Sequence, residues 1–287
     1  MKTRNGLIEE KQLATKLYLS AERVSREDEF EHHLQIARDR SLGIEIQEFY
    51  LPELMWGNWK PRLEQYKQLL EGFDNGLSIH NAFYCTDHAG LDPEIFRLTR
   101  MRYDYIFKIA QELGCGTIVS HFMWLPRYKG SHLTRWQEAE VRFWDFYLNK
   151  AEKVGFVLAL ENTFEPNPET LVSIFDRLKS ARFKWNLDVG HVNAFAQNNS
   201  LAEWIDALHP HLGYMHIHNN HGEEDSHNPV MDGTIDFDQL FERLDKWQVA
   251  PIVATEIYGQ GLIESIDYLE KKMAATRCYG GEYLNLA

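Results

Sequence analysis

Six short apolar runs in this chain of 287 residues end in side chains able to hold a cation or move a proton. They read Ser78-Ile79-His80, Val119-Ser120-His121, Ala159-Leu160-Glu161, Asn186-Leu187-Asp188-Val189-Gly190-His191, Tyr214-Met215-His216-Ile217-His218 and Ala254-Thr255-Glu256. Carboxylates and imidazoles are the hard and borderline donors suited to Mn²⁺, Mg²⁺, Co²⁺ or Zn²⁺. Each has a structural explanation when taken alone. A histidine at the end of a run can be a hydrogen-bonded core residue, Asp188 can cap a following helix, and Glu161 or Glu256 can pair with Lys or Arg. Three apolar runs ending in carboxylates would gather uncompensated negative charge in one place, which is costly to bury without a cation. No matching cluster of Lys or Arg stands at the same run ends. The pattern therefore points to a divalent-metal site.

Such a site needs a scaffold that brings many run ends together. Strands are expected at Lys16–Ala21, Ile44–Tyr50, Leu77–Phe83, Thr117–Phe122, Val157–Glu161, Lys184–Asp188, Tyr214–His218 and Ile252–Tyr258. Between them the apolar spacing becomes helical, as in Ile106, Ile109, Ala110 and Leu113, or Leu171, Ile174, Phe175 and Leu178. Leu240, Phe241, Leu244 and Trp247 form a third such face. Asp92-Pro93-Glu94 and Asn167-Pro168-Glu169 read as helix starts, and Ser200 with Glu203 has capping-box spacing. Gly43, Gly114, Gly155 and Gly213 stand where helices should give way to strands. Eight strand–helix units without a linker indicate a single α/β domain over residues 1–287, a (β/α)8 TIM barrel with its core at about residues 14–273. The alternative, a doubly wound open sheet, would usually carry a Gly-rich phosphate turn after its first strand, and Ser20-Ala21-Glu22 has none. In a barrel the functional residues gather at the C-terminal strand ends, where the six runs place theirs.

Composition narrows the partners. Hydrophobic residues are 44% and charged residues 25%, enough apolar material for a large core. The net charge of −13 argues against broad binding to nucleic acid or anionic membrane, although a local basic rim can sit on an acidic body. No apolar run reaches the ~20 residues of a membrane span, and Met1 to Leu13 do not read as a secretory signal. Cys85, Cys115 and Cys278 are widely spaced and form no CxxC pattern, so they read as reduced thiols in a cytoplasmic protein.

The segments Leu160-Glu161-Asn162-Thr163, Leu187-Asp188-Val189-Gly190-His191, His216-Ile217-His218-Asn219-Asn220 and Ala254-Thr255-Glu256 together resemble the xylose isomerase-like TIM-barrel family over roughly residues 14 to 273. That family includes hydroxypyruvate isomerase, inosose dehydratase, the ketose 3-epimerases and endonuclease IV. The resemblance implies that Glu161, Asp188, His216 and Glu256 hold one metal ion. It implies that His191 contacts substrate, as in the epimerases, or binds metal, as in endonuclease IV. The nine ligands that hold three zinc ions in the endonuclease match His80, His121, Glu161, Asp188, His191, His216, Asp225, His227 and Glu256. Asp225-Ser226-His227 supplies the DxH spacing, which members of sugar-isomerase type also keep. Two departures leave the substrate open. Where the ketose epimerases have an Arg soon after the strand-7 ligand, this chain reads His221-Gly222-Glu223. The frequent Gly-Glu-Gly turn is replaced by Met231-Asp232-Gly233.

Two chemistries follow. In a metal-dependent sugar isomerase or epimerase, the ion would stabilise an enediolate while Glu161 and Glu256 remove and return the proton. In an endonuclease IV-like phosphodiesterase, a metal-activated hydroxide would cut DNA at abasic sites. Lys60, Arg62, Arg127, Lys129 and Arg135 are a thin basic rim for that purpose. A barrel that only binds a ligand is the third reading. The first is preferred, with a small sugar as partner, no organic cofactor, no membrane, and a homo-oligomer left open. Candidate substrate contacts are His191, His218, Phe83, Trp124 and Tyr258. Trp56, Trp59, Tyr84 and Tyr128 also crowd the expected mouth, where rings stack on sugars or bases or else pack loops or a dimer contact. His218 shares the inward face with His216 and suits either a supporting role or a solvated loop. His32, His33, His88, His132, His209 and His211 are read as surface residues.

Overall fold

The structure is a computed structural model that describes residues 16–21, 29–90, 92–197 and 200–280. The reading of Met1 to Leu13, the start of the barrel core at residue 14, and Glu22 lie outside the described residues. The strands are β1 Leu17–Ala21, β2 Gly43–Ile46, β3 Leu77–His80, β4 Thr117–His121, β5 Val157–Glu161, β6 Phe183–Asp188, β7 Leu212–Ile217 and β8 Ile252–Thr255. All pair in parallel and in chain order, and β1 pairs with β8 to close the barrel. This is the (β/α)8 architecture expected from the sequence.

Helices α1 Glu29–Arg40, α2 Pro52–Trp56, α3 Trp59–Leu69, α4 Pro93–Leu113, α5 Ser131–Val154, α6 Glu169–Arg177, α7 Val189–Phe195, α8 Leu201–Leu208, α9 Phe237–Trp247 and α10 Leu262–Ala275 surround it. Their starts follow the capping logic. Asp92 accepts the Glu94 N–H, Asn167 Oδ1 accepts from Thr170, and Ser200 accepts the Glu203 N–H. Gly114 and Gly155 end α4 and α5 in the left-handed conformation, at φ 73° and 98°. Gly43 and Gly213 instead lie within β2 and β7. At Gly43 the Tyr18 ring fills the space a Cβ would need.

Strands β2, β3 and β8 are shorter than their apolar runs. The chain turns away after Ile46, His80 and Thr255 while one more backbone bond keeps the next residue against its neighbour. Gln47 N–H donates to Ala21 O at 3.2 Å, Asn81 N–H to Val119 O at 2.8 Å, and Glu256 N–H to Ile217 O at 3.0 Å. The period of two then sorts the interior into layers. Tyr18, Val119, Ala159, Tyr214 and Ala254 pack together as the lower layer. One pleat further along, the same strands carry Ser20, His121, Glu161, His216 and Glu256.

Two histidines read as surface residues are buried. His33 is 2% exposed, with Nδ1 2.8 Å from Glu29 O. His88, 3% exposed, enters the space between α4 and α5, where Glu140 sits 2.9 Å from Nδ1 and Tyr103 Oη 2.8 Å from Nε2. Trp144 Nε1–H donates to the same Glu140 at 2.9 Å. A loop histidine gives no periodic signal of burial, and its partners lie 15 and 52 residues away. No helix among the described residues is long and apolar enough to cross a membrane.

Candidate metal and substrate site

Strand register sets the centre. Asp188 pairs with His216 across β6 and β7, and His121 with Glu161 across β4 and β5. His216 Nδ1 is the hub. It lies 3.0 Å from Glu161 Oε2, 3.2 Å from Glu256 Oε2 and 3.7 Å from Asp188 Oδ2. Ligands about 2.1 Å from one tetrahedral ion stand about 3.4 Å apart, so these separations suit donors around a single cation. Glu161, Asp188 and His216 are at most 1% exposed and Glu256 is 5% exposed.

The five further candidates join the same cluster. His80 Nε2 and His121 Nε2 lie 3.7 and 3.5 Å from the Glu161 oxygens. His191 Nδ1 is 3.2 Å from Glu161, and its Nε2 is 3.2 Å from Asp225. His227 Nε2 is 2.9 Å from Asp225 Oδ2. A carbonyl oxygen can only accept, which fixes several tautomers. The Nδ1–H groups of His80, His191 and His227 donate to Asn81 O, Asn162 O and Glu256 O, at 2.9 Å in each case. Their Nε2 atoms are left to face the carboxylates.

His218 is fully buried, so it is not a solvated loop residue. Its Nε2 is 3.2 Å from Asp188 Oδ1, and its ring stacks on His227 at 4.2 Å. Gly190 makes room for it, since a Cβ there would overlap the His218 ring. The aromatic candidates divide. Phe83 stacks on His121 at 4.9 Å, and Tyr258 stacks on His227 at 5.6 Å. Trp124 is buried in the hydrophobic core, and its indole nitrogen has no hydrogen-bond partner among the described residues. Of the rim rings, Trp56 is 63% exposed, Trp59 packs on Tyr105, and Tyr128 stacks on Trp136. Arg62 on the basic rim is paired with Glu48 at 3.0 Å.

The electrostatics follow from burial and crowding. Burial alone would raise the Glu161 carboxyl, but His216, His121 and His191 hold it well below the usual carboxylate range. Burial raises Glu256 despite His216 and His227. His216 and His191 are held well above the ordinary histidine value, because surrounding carboxylates outweigh the effect of burial. Burial pushes His121 down to about 3. Among the described residues, every cationic partner of Glu161, Asp188 and Glu256 is a histidine.

The residues fit a divalent cation by the chemistry of this donor set. Among the described residues, five triads of His, Asp and Glu each bring their donor atoms within 4.8 Å of one another: His80, His121 and Glu161; Glu161, Asp188 and His216; Asp188, His218 and Glu256; Glu45, His216 and Glu256; and His218, Asp225 and His227. Asp225 Oδ1 and His218 Nδ1 are buried without a hydrogen-bond partner among the described residues. An oxygen and a nitrogen left over inside a polar cluster are what an ion or a substrate hydroxyl would satisfy.

Glu45 and Gln47 escaped the sequence reading. Gly43-Ile44-Glu45-Ile46 carries the same mark as the other strands, a charged residue at an inward position of an apolar run. Gln47 lies just beyond and joins Ser20, Glu45 and Glu256, while Tyr258 Oη donates to its oxygen at 3.0 Å.

Residues 36–274 match the xylose isomerase-like TIM barrel family. The chain belongs to that family. Similar folds occur in a D-tagatose 3-epimerase-like protein (TM-score 0.76, 18% identity, 92% of this chain and 98% of that one). They also occur in the TTHB071 protein from Thermus thermophilus, soaked with ZnCl₂ (TM-score 0.72, 20% identity, 90% and 98%). A third is the 3-keto-D-glucoside 4-epimerase YcjR from E. coli (TM-score 0.67, 17% identity, 90% and 99%). These likenesses establish the shared barrel, and sugar epimerases are among the proteins that have it.

Proposed function

We propose that this member of the xylose isomerase-like family is a divalent-metal-dependent isomerase or epimerase of a small ketose, aldose or polyol-derived substrate. The observation that carries the reading is the convergence of two buried carboxylates of unequal character, Glu161 and Glu256, on His216 Nδ1. Glu161, Asp188, His216 and Glu256 would hold the ion. When bound, it supplies Lewis-acid stabilisation of the negative charge that develops on the substrate oxygens. The chain's own residues do the rest. Histidines keep the Glu161 carboxylate ionised, so that it can take a proton from the carbon beside the substrate carbonyl. Glu256, which converges on the same nitrogen, would return a proton drawn from solvent to the adjacent position or the opposite face. His191 would hold a substrate hydroxyl, with His218 behind it. Phe83 and Tyr258 would close the mouth over the C–H faces of the sugar. On this reading, the chain is one barrel domain over residues 1–287, works in the cytoplasm and needs no organic cofactor.

The test is turnover of a panel of ketoses and aldoses in D₂O by metal-loaded protein, with the product isomer identified and deuterium sought at the α carbon. A new isomer carrying label supports the proposal. A new isomer without label refutes the two-carboxylate relay and indicates a hydrogen that is transferred without exchange with solvent. Metal-dependent cleavage of an abasic-site duplex, with no turnover of any sugar, refutes it. That outcome would favour the endonuclease IV-like reading, which draws support from the gathering of all nine matching residues. Metal analysis separates the two, since one ion per chain fits the isomerase and three zinc ions fit the hydrolase.

A further inference from the structure

Strands β1 and β2 give none of the four residues that we assign to the metal. A carboxylate outside that set nevertheless meets His216 from β2. Glu45 is fully buried. Its Oε2 lies 3.2 Å from His216 Nε2, while Oε1 accepts from Ser20 Oγ at 3.0 Å and from Gln47 Nε2 at 2.9 Å. Both oxygens are fixed, and no Lys or Arg pairs with Glu45 among the described residues.

The two ring nitrogens of histidine direct their bonds outward on different sides of the ring. His216 Nδ1 faces Glu161, Glu256 and Asp188, so Nε2 and Glu45 lie on the other side of the ring from an ion held at Nδ1. Glutamine at this position would bury no charge, but it accepts on one side only, so its –NH2 would oppose either the Gln47 amide or an Nε2–H of His216. The buried charge is what accepts on both sides at once, from Ser20 and Gln47 on one oxygen and from His216 on the other. We infer that Glu45 is a positioning residue of the metal centre. It accepts the Nε2–H of His216, fixes the ring with Nδ1 turned inward, and makes that nitrogen a stronger donor. His80, His191 and His227 are held through their Nδ1–H groups by backbone carbonyls instead. A carbonyl orients a ring but carries only partial charge. His191 Nδ1 also lies 3.2 Å from Glu161, itself one of the four assigned ligands. His216 differs in meeting, on its far nitrogen, a carboxylate outside that set, and it is the one on which three others converge. The inference rests on the metal reading above.

The experiment is titration of the chelator-stripped full chain with Co²⁺ against a chromophoric chelator, comparing wild type with Glu45→Gln, Glu45→Asp and Glu48→Gln. Glu48 is the control. It is a buried carboxylate three residues away, but it meets Tyr66 Oη at 2.6 Å and Arg62 Nε at 3.0 Å instead of a site histidine. Glu45→Gln is expected to bind Co²⁺ about 10- to 100-fold more weakly and to show a displaced visible spectrum. Glu45→Asp should recover part of the loss, and Glu48→Gln should bind like wild type. Glu45→Gln affinity within about twofold of wild type overturns the inference and leaves the metal reading standing. A wild-type chain that binds no Co²⁺ overturns both. If Glu45→Gln does not fold, ¹⁵N-histidine spectra of the Zn²⁺-loaded wild type decide. A hydrogen-bonded Nε2 proton on His216 supports the assignment, and its absence refutes it.

Discussion

Glu165, in the loop after β5, makes the stability of this protein depend on pH. Its Oε2 accepts the Thr163 N–H at 2.6 Å, but Oε1 is buried without a hydrogen-bond partner among the described residues. Burial pushes this carboxyl up from 4.5 to about 8, against the pull of the Thr163 and Glu165 backbone N–H groups. Between those two values the folded chain holds a proton that the unfolded chain has released. Folding therefore gains most from this group below pH 4.5, loses stability steadily as pH rises towards about 8, and changes little beyond. At about 1.4 kcal/mol per pH unit, the full effect is at most roughly 5 kcal/mol, and loop relaxation reduces it. Glu165→Gln keeps the shape and the acceptor and cannot ionise. Urea unfolding of chelator-treated wild type and variant would be compared at about pH 5, 6.5 and 8.5. The variant should match wild type at the lowest pH and exceed it by at least about 2 kcal/mol at the highest. Parallel pH profiles would refute the claim that this carboxyl is folded in its protonated form.

Three further outcomes are expected. His227→Ala should still bind one divalent ion per chain by metal analysis, because His227 is not among the four residues assigned to the ion; loss of all metal would instead reveal a coupled cluster. Gly190→Ala forces His218 out of its seat, so it should lower the unfolding free energy by about 1–3 kcal/mol and weaken sugar turnover. Retention of wild-type stability and turnover would show that His218 can move freely. Glu140→Ala leaves His88 and Trp144 without their buried acceptor, and should cost about 3 kcal/mol in a denaturant titration while Co²⁺ affinity stays unchanged.

The barrel was legible in the sequence because its periods are local. Alternation along a strand and i, i+3, i+4 spacing along a helix are visible within a dozen residues. Asp92, Asn167 and Ser200 cap their helices through bonds to residues two or three positions away. The inward polar residues were legible for the same reason: Glu161, His216 and Glu256 each follow a small or apolar residue two positions earlier in an apolar run. What only the closed barrel decided was which of these ends meet. Glu45 and His216 are 171 residues apart, and Gln47 and Glu256 are 209 apart. They touch because β1 pairs with β8 and brings the first two strands round to the last two. A lone Glu in a four-residue strand looks like any other inward polar residue until that closure sets it behind an imidazole. The same holds for His88, whose burial depends on a loop folding between two helices, and for His218, whose seat exists because Gly190 leaves it empty. Local spacing determines where a side chain points, but which group it meets is decided by packing between distant segments.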